Sequence, residues 1–545
     1  MNNLIFVFFY SVLHFSGFTV FTKFLKISKT EVLEKSKLYS SFYPLISLFF
    51  LGNLNLILNF FTPLKNVAMY VVTIFLFFSI YGFIISFKNR LLKGNFITLF
   101  VIPFLISFSS YGIKFHYDSG AYHLNYQNWI YENKISLGVA NLNPYYSYGS
   151  LQEYIFSNLS YFNVNLLLFF VELTFFTVFF VWIFQNISNK HNYFLQRCAF
   201  FILIFLFLDN FGYLGGANGS VQIQMVGKSD TAVAIIWVII SILIINDLLK
   251  KNSNQNQFFL ILMLSLFAFQ LKSNAAPLIF IVLFYIFKFR RTFSFINFQN
   301  ILLLLLLNLF LVKNFFVSGC VIYPLNFTCF KKAKWLNFDH IYESSYITLR
   351  DNFRLQIGEN FIQSLVNFLN HSYNIQIYTN FVLSLILIFI FKKIFYKTIN
   401  KNTQLKLSYF IFIILNFTLF FFTVPAFRNG FGLFLSSVIL LAIDEIEISN
   451  KLEFLFNKYT YLLLIFFTIA LFPRFFMYSE AKNNNFSYID FEIGITEYKN
   501  VNGGFTVPIG NNQCWKKENC LLKTKYNNNI LIEEKLGYTV ISSSK

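Results

Sequence analysis

Asp118 and His123 stand five residues apart in Phe115-His116-Tyr117-Asp118-Ser119-Gly120-Ala121-Tyr122-His123-Leu124, a cluster of ionisable and aromatic side chains directly after a hydrophobic run. A carboxylate in that setting can orient or deprotonate a hydroxyl, or hold a divalent cation such as Mg or Mn, and a neighbouring imidazole can support it. Asp118 equally suits a plain N-cap, because a helix-like stretch follows it through Trp129. His116 and His123 equally suit packing at an interface. Tyr117, Tyr122 and Trp129 add flat aromatic surfaces on which a sugar or a prenyl chain can lie.

More charges stand at the ends of other apolar runs: Lys228, Asp230, Lys272, Lys313 and Arg428. Charges at membrane depth are costly and, when kept, face a cavity or a partner. An anion such as phosphate would account for Lys228, Lys272 and Arg428, which the charge bias of loops does not explain. The competing readings are a cap at Ser229 or Asp230, snorkelling for Lys228 and Lys272, and an interfacial anchor for Lys313. Glu172, inside an apolar run, is either buried and neutral or paired with one of these cations.

The elements that must position these residues follow from composition. The chain has 545 residues, 56% of them hydrophobic and only 12% charged. Its Phe-, Leu- and Ile-rich runs repeatedly approach the roughly 20 residues that a bilayer-spanning helix requires. The runs show no period-2 alternation, so an all-α polytopic bundle is expected and not a barrel. Hydropathy places fourteen spans near 3-20, 39-61, 66-87, 95-111, 164-186, 198-212, 230-248, 256-271, 274-288, 297-316, 374-392, 407-424, 429-443 and 458-473. The pair at 256-271 and 274-288 reads either as a re-entrant hairpin or as two tilted helices, its ends on one side in both cases.

Basic residues fill the short loops 21-38, 88-94, 187-197, 249-255, 289-296 and 393-406, which are expected inside; the acidic loop 444-457 must then lie inside as well. Both termini and the long loops 112-162 and 317-373 are expected outside. The first run lacks a basic n-region and a small-residue cleavage site, and reads as a retained helix. The net charge of +19 is thus a topology signal, and with no basic stripe on a soluble fold nucleic-acid binding is not expected. Residues 1-478 form the bundle with its outer loops, and 479-545 a small, partly β, outer extension with runs such as Gly504-Phe505-Thr506-Val507-Pro508-Ile509.

Cys320 with Cys329, and Cys514 with Cys520, lie within ten residues of each other on the same expected side, which favours two local disulfides over four free thiols. No P-loop, GxGxxG, HExxH or GxSxG is present, so nucleotide hydrolysis, dinucleotide redox chemistry, zinc proteolysis and α/β-hydrolase activity lack support.

The Tyr-Asp-x-x-x-Tyr-His element at 117-123, with Gly138-Val139-Ala140-Asn141-Leu142 after it, resembles the first outer loop of an uncharacterised family of bacterial multi-pass membrane proteins. Lys228-Ser229-Asp230, Leu271-Lys272-Ser273, Lys313-Asn314 through Pro324, Phe427-Arg428, and Gln513-Cys514-Trp515 with Cys520 follow in similar order. That family is in turn distantly similar to the GT-C glycosyltransferases. The resemblance implies a GT-C-like bundle of about 12-14 spans in the bacterial inner membrane, its active face outside or periplasmic. It also implies a polyprenyl-phosphate sugar donor and a glycan, lipid or protein acceptor. On this reading Asp118 and His123 are catalytic, and Lys228, Asp230, Lys272, Lys313, Arg428, Tyr122 and Trp129 bind substrate. A transporter or flippase of lipid-linked glycans, and a non-enzymatic envelope assembly protein, are the alternatives.

Overall fold

The computed structural model describes residues 2–24, 39–89, 96–108, 118–162, 164, 166–187, 192–211, 229–339, 341, 361–370, 372–400, 402–423, 427–448, 497–501, 505–509, 513–517, 520, 530–535 and 537–543. In chain order the helices are α1 (Asn2–Phe24), α2 (Tyr43–Asn59), α3 (Ala68–Lys88), α4 (Ile102–Ser107), α5 (Leu124–Glu132), α6 (Leu151–Leu159), α7 (Leu166–Ile187) and α8 (Tyr193–Phe211). Then come α9 (Asp230–Lys250), α10 (Gln255–Leu271), α11 (Leu278–Lys288), α12 (Phe298–Ser318), α13 (Phe361–Asn370), α14 (Ser372–Phe395), α15 (Thr403–Thr423), α16 (Phe427–Ser437) and α17 (Ile439–Ala442).

Thirteen of the fourteen expected spans fall on these helices, and the fourteenth, 458-473, lies outside the described residues. Among the described residues seven helical segments are long and apolar enough to cross a membrane. They sort by burial: the apolar window of α9 is 94% buried and that of α7 89%, whereas α3 and α15 bury 28%. The first two form the centre of the bundle. The others face outward, α3 with side chains such as Met69, Tyr70, Phe77 and Phe87, as a lipid-facing wall would.

The pair α10 and α11 is shorter than the long apolar helices. At 1.5 Å per residue α10 is about 26 Å long and α11 only about 17 Å, so α11 is too short for a bilayer core of about 30 Å. Their far ends meet through Gln255, whose side chain donates to Ser294 O (3.1 Å) and accepts from Ser294 N (3.0 Å). The pair is a helical hairpin with its tip at Lys272.

Three antiparallel two-stranded ribbons complete the fold: β1 (Tyr396–Asn400) with β2 (Glu445–Ile448), β3 (Tyr498–Val501) with β4 (Phe505–Pro508), and β5 (Ile530–Lys535) with β6 (Tyr538–Ser543). The first ribbon ties the basic loop 393-406 to the start of the acidic loop 444-457. Asp444 is fastened there by Lys392 (2.7 Å) and Lys406 (2.9 Å), so the two loops share a side as their order along the chain requires.

The described part of the 112-162 loop, residues 118–162, is packed onto the bundle: every residue of α6 is buried. The anchor is a set of buried amides on α2. Asn59 donates to Ile130 O (3.1 Å) and Asn133 O (2.8 Å), and Asn55 donates to Tyr154 O (3.2 Å) and accepts from Asn158 (3.1 Å). In an apolar surround these amides must find partners, and only the short helices supply them.

Candidate functional site

Residues Ser119–His123 form a single π turn that runs into α5, with Leu124 N–H donating to Ser119 O. Such turns are rare and concentrate at functional sites. Asp118 stands just before this turn and His123 at its end. Asp118 sits at the start of the turn and makes no capping hydrogen bond to it, which answers the capping alternative. Ser229 likewise does not cap α9; its hydroxyl donates to Leu271 O (3.1 Å) and so ties the start of α9 to the end of α10.

His123 Nδ1 lies 2.5 Å from Glu153 Oε1, and the other carboxylate oxygen of Glu153 accepts from Gln127 Nε2 (2.6 Å). Glu153 is 2% exposed. An imidazole held by a carboxylate on one ring nitrogen is fixed in orientation and keeps the other nitrogen for chemistry. Lys313 lies within the field of Glu153. Its side chain is wholly buried, donates to Gly149 O (2.7 Å) and lies 4.5 Å from the Phe310 ring centre. The interfacial-anchor reading of Lys313 fails on that burial.

Gln152, next to Glu153 on α6, points the other way and donates to Glu172. Glu172 therefore takes an amide partner instead of a cation, and lies within the field of both Glu153 and Asp230. Asp230 is ion-paired with Lys272, which also donates to Asn429 Oδ1 (2.7 Å). Neither snorkelling nor an uncompensated cation describes Lys272: Asp230 already balances its charge. The contacts His123–Glu153, Gln152–Glu172 and Asp230–Lys272–Asn429 make up a discontinuous polar chain, its first two contacts starting from adjacent residues of α6.

Tyr122 stacks on Tyr145 with ring centres 4.9 Å apart and planes at 20°, so one face of its ring is already covered. Trp129 is half-buried on the other side of α5, its indole N–H donating to Ser136 Oγ (3.3 Å). Tyr117, His116 and Lys228 lie outside the described residues, as does the side chain of Arg428. Cys320–Cys329 and Cys514–Cys520 are both disulfide-bonded. Among the described residues no three His, Cys, Asp or Glu side chains converge as metal ligands.

The extension packs on this same face. Trp515 N–H donates to Gly120 O (2.7 Å), Asn125 Nδ2 to Lys517 O (2.6 Å), Ile541 N–H to Leu137 O (2.8 Å) and Tyr538 Oη to Phe60 O (3.0 Å). Gly120 has no room for a side chain, since a Cβ there would meet the Trp515 indole at 2.8 Å.

Sequence reasoning missed Gln127, Gln152, Glu153 and Asn429. The available signal was Gln152-Glu153 in an otherwise apolar run, Leu151, Tyr154, Ile155, Phe156 and Leu159, opened by Ser150. The Ser150 hydroxyl does cap α6, accepting from Gln152 N (3.1 Å).

Comparison with known families gives a match to the model described as Domain of unknown function (DUF8201), which covers residues 1–435, a span that contains every member of the polar chain. No curated protein and no solved structure matches the chain.

Proposed function

The chain belongs to the DUF8201 family, and from that starting point we propose that it is a GT-C-like membrane glycosyltransferase that moves a sugar from a polyprenyl-phosphate donor to an envelope glycan, lipid or protein. The observation that carries the reading is the His123–Glu153 contact, one π turn from Asp118, on a short helix pressed onto the end of a bundle with apolar spans. Several long apolar helices support a membrane setting, and the bacterial inner membrane with the disulfide-bearing face outside or periplasmic is part of the proposal.

In the proposed reaction the acceptor hydroxyl oxygen attacks the anomeric carbon. The bond from that carbon to the phosphate oxygen breaks, and polyprenyl phosphate leaves with the electron pair. Asp118 takes the hydroxyl proton or orients the hydroxyl. His123, held by Glu153 and Gln127, supports Asp118 or contacts the phosphate. Lys313, wholly buried with one hydrogen-bond acceptor among the described residues, and with it Arg428 and Lys228 are the cations offered to the leaving phosphate. Lys272 acts with Asp230 as a pair, setting the shape of the site more than its charge.

A lipid-linked glycan transporter is the second reading, favoured by the buried Gln152–Glu172 contact inside a span. Both readings meet in one experiment: transfer of labelled sugar from a panel of polyprenyl-phosphate sugars by purified wild type and Asp118→Ala. Product from the wild type alone upholds the enzyme. Equal product from both removes its premise, and donor binding without product makes transport the leading reading.

A further inference from the structure

Helix α5 has a second polar face. Asn125, Asn128, Trp129 and Glu132 stand at i, i+3, i+4 and i+7, one stripe of the helix, whereas Gln127 on another face reaches Glu153. The stripe lines a cleft of about 270 Å³. Its opposite wall is built by the extension, Lys517 and the disulfide-bonded Cys520, and its mouth is flanked by Lys65.

The lining selects a ligand class. It is dominated by amides and charged groups, with one indole and little aliphatic surface, so a prenyl chain or a fatty acyl chain would leave it poorly desolvated. Its size lies just under the roughly 300–1,000 Å³ of small-molecule sites, room for about one ring of a larger ligand. Some of the polar groups are spent on structure: Asn125 binds Lys517 O and the Tyr146 hydroxyl, and Asn133 donates to Trp129 O. Asn128 is not, since its amide makes no hydrogen bond among the described residues. Lys65 and Glu132 pair at the mouth (2.6 Å) with 45% and 31% of their side chains exposed, where an incoming hydroxyl can exchange with either. An amide that both donates and accepts, an aromatic plane and an exchangeable ion pair are what a polyhydroxylated ring requires. Two lysines against one glutamate leave the lining at +1, which also admits one carboxylate.

We propose that this cleft binds a single sugar ring, neutral or carrying one carboxylate, of a glycan held at this face. Under the transferase reading, on which this role rests, it is a remote subsite for a glycan acceptor, separated from the His123–Glu153 contact by the width of α5. Binding itself does not require that transfer occurs.

The test uses the full chain in lipid nanodiscs, free of sugar-headed detergents, and titrates it with labelled di- to tetrasaccharides of hexose, N-acetylhexosamine and uronic acid. Wild type is expected to bind at least one class. Asn128→Ala is expected to weaken that binding about threefold to tenfold and Trp129→Ala about tenfold or more. Where transfer is measurable, Asn128→Ala should raise the acceptor KM and leave kcat intact. Absence of saccharide binding by the wild type, or binding indifferent to both cleft substitutions, overturns the site, and a kcat loss with KM unchanged overturns its acceptor role. Cleft-dependent binding with no transfer from any donor retains the site and fails the transferase reading alone. Asn128 is part-exposed, so its variant reports on the cleft even if Trp129→Ala does not fold.

Discussion

At the end of the bundle that carries β1 and β2, charge is tied off in closed knots. Asp444 takes both Lys392 and Lys406, and Asp247 takes Gln257 (2.8 Å) and the Tyr285 hydroxyl (2.7 Å). At the disulfide-bearing end the polar groups meet in separate contacts, His123 with Glu153, Gln152 with Glu172, and Lys272 with Asp230 and Asn429. A closed knot holds loops together. The disulfide-bearing end keeps unspent donors, as on Lys313. On the proposed function the disulfide end is the working end and the other a clasp.

That contrast can be broken most sharply at its open end. Glu153→Gln removes the carboxylate that fixes His123 and faces Lys313, and should lower transfer about 10- to 100-fold with little change in donor KM. Equal activity in this variant would reduce the polar chain to scaffolding. At the closed end, Asp444→Asn strands Lys392, 7% exposed, and should cost about 3 kcal/mol of stability, read as a lower Tm, with turnover per folded molecule retained. Acid should do the same reversibly. Burial pushes the Asp444 carboxyl up, but hydrogen bonds and charge from Lys392 and Lys406 outweigh it and hold the pKa below the ordinary value. The clasp is therefore complete above about pH 4 and lost as pH falls through that lowered value.

Replacing Cys514 and Cys520 together with Ser releases a six-residue loop and should cost about 2 kcal/mol, together with weaker saccharide binding, since Cys520 lines the cleft. A change in binding without any in Tm would show the bridge to be a wall of the cleft only. The smallest effect belongs to Lys65→Ala. Its half-exposed pair with Glu132 contributes at most about 1 kcal/mol, so Tm should stay within error while the preference for acidic over neutral sugars falls.

Hydropathy carried the bundle because a run such as Leu166–Ile187 has no other way to bury its backbone. It stopped at α6, nine residues long, whose apolar content reads the same whether it covers a loop or plugs a bundle. Asp118 and His123 were legible as a pair because they are ionisable and close in sequence. The partner of His123, Glu153, was not, since thirty residues separate the two and the amide of Asn55 helps to decide where α6 docks. Lys272 read as an anion seeker for the same reason: Asp230 is forty-two residues away in the chain and a salt bridge away in space.

The hydrogen bonds from residues 515, 538 and 541 to residues 120, 60 and 137 also set an order of events at the ribosome. Residues 60, 120 and 137 emerge several hundred residues before the partners that tie to them. Throughout that interval this end of the bundle is uncovered, so a quality-control step that samples residues 515–541 would meet it only once its cover has been made.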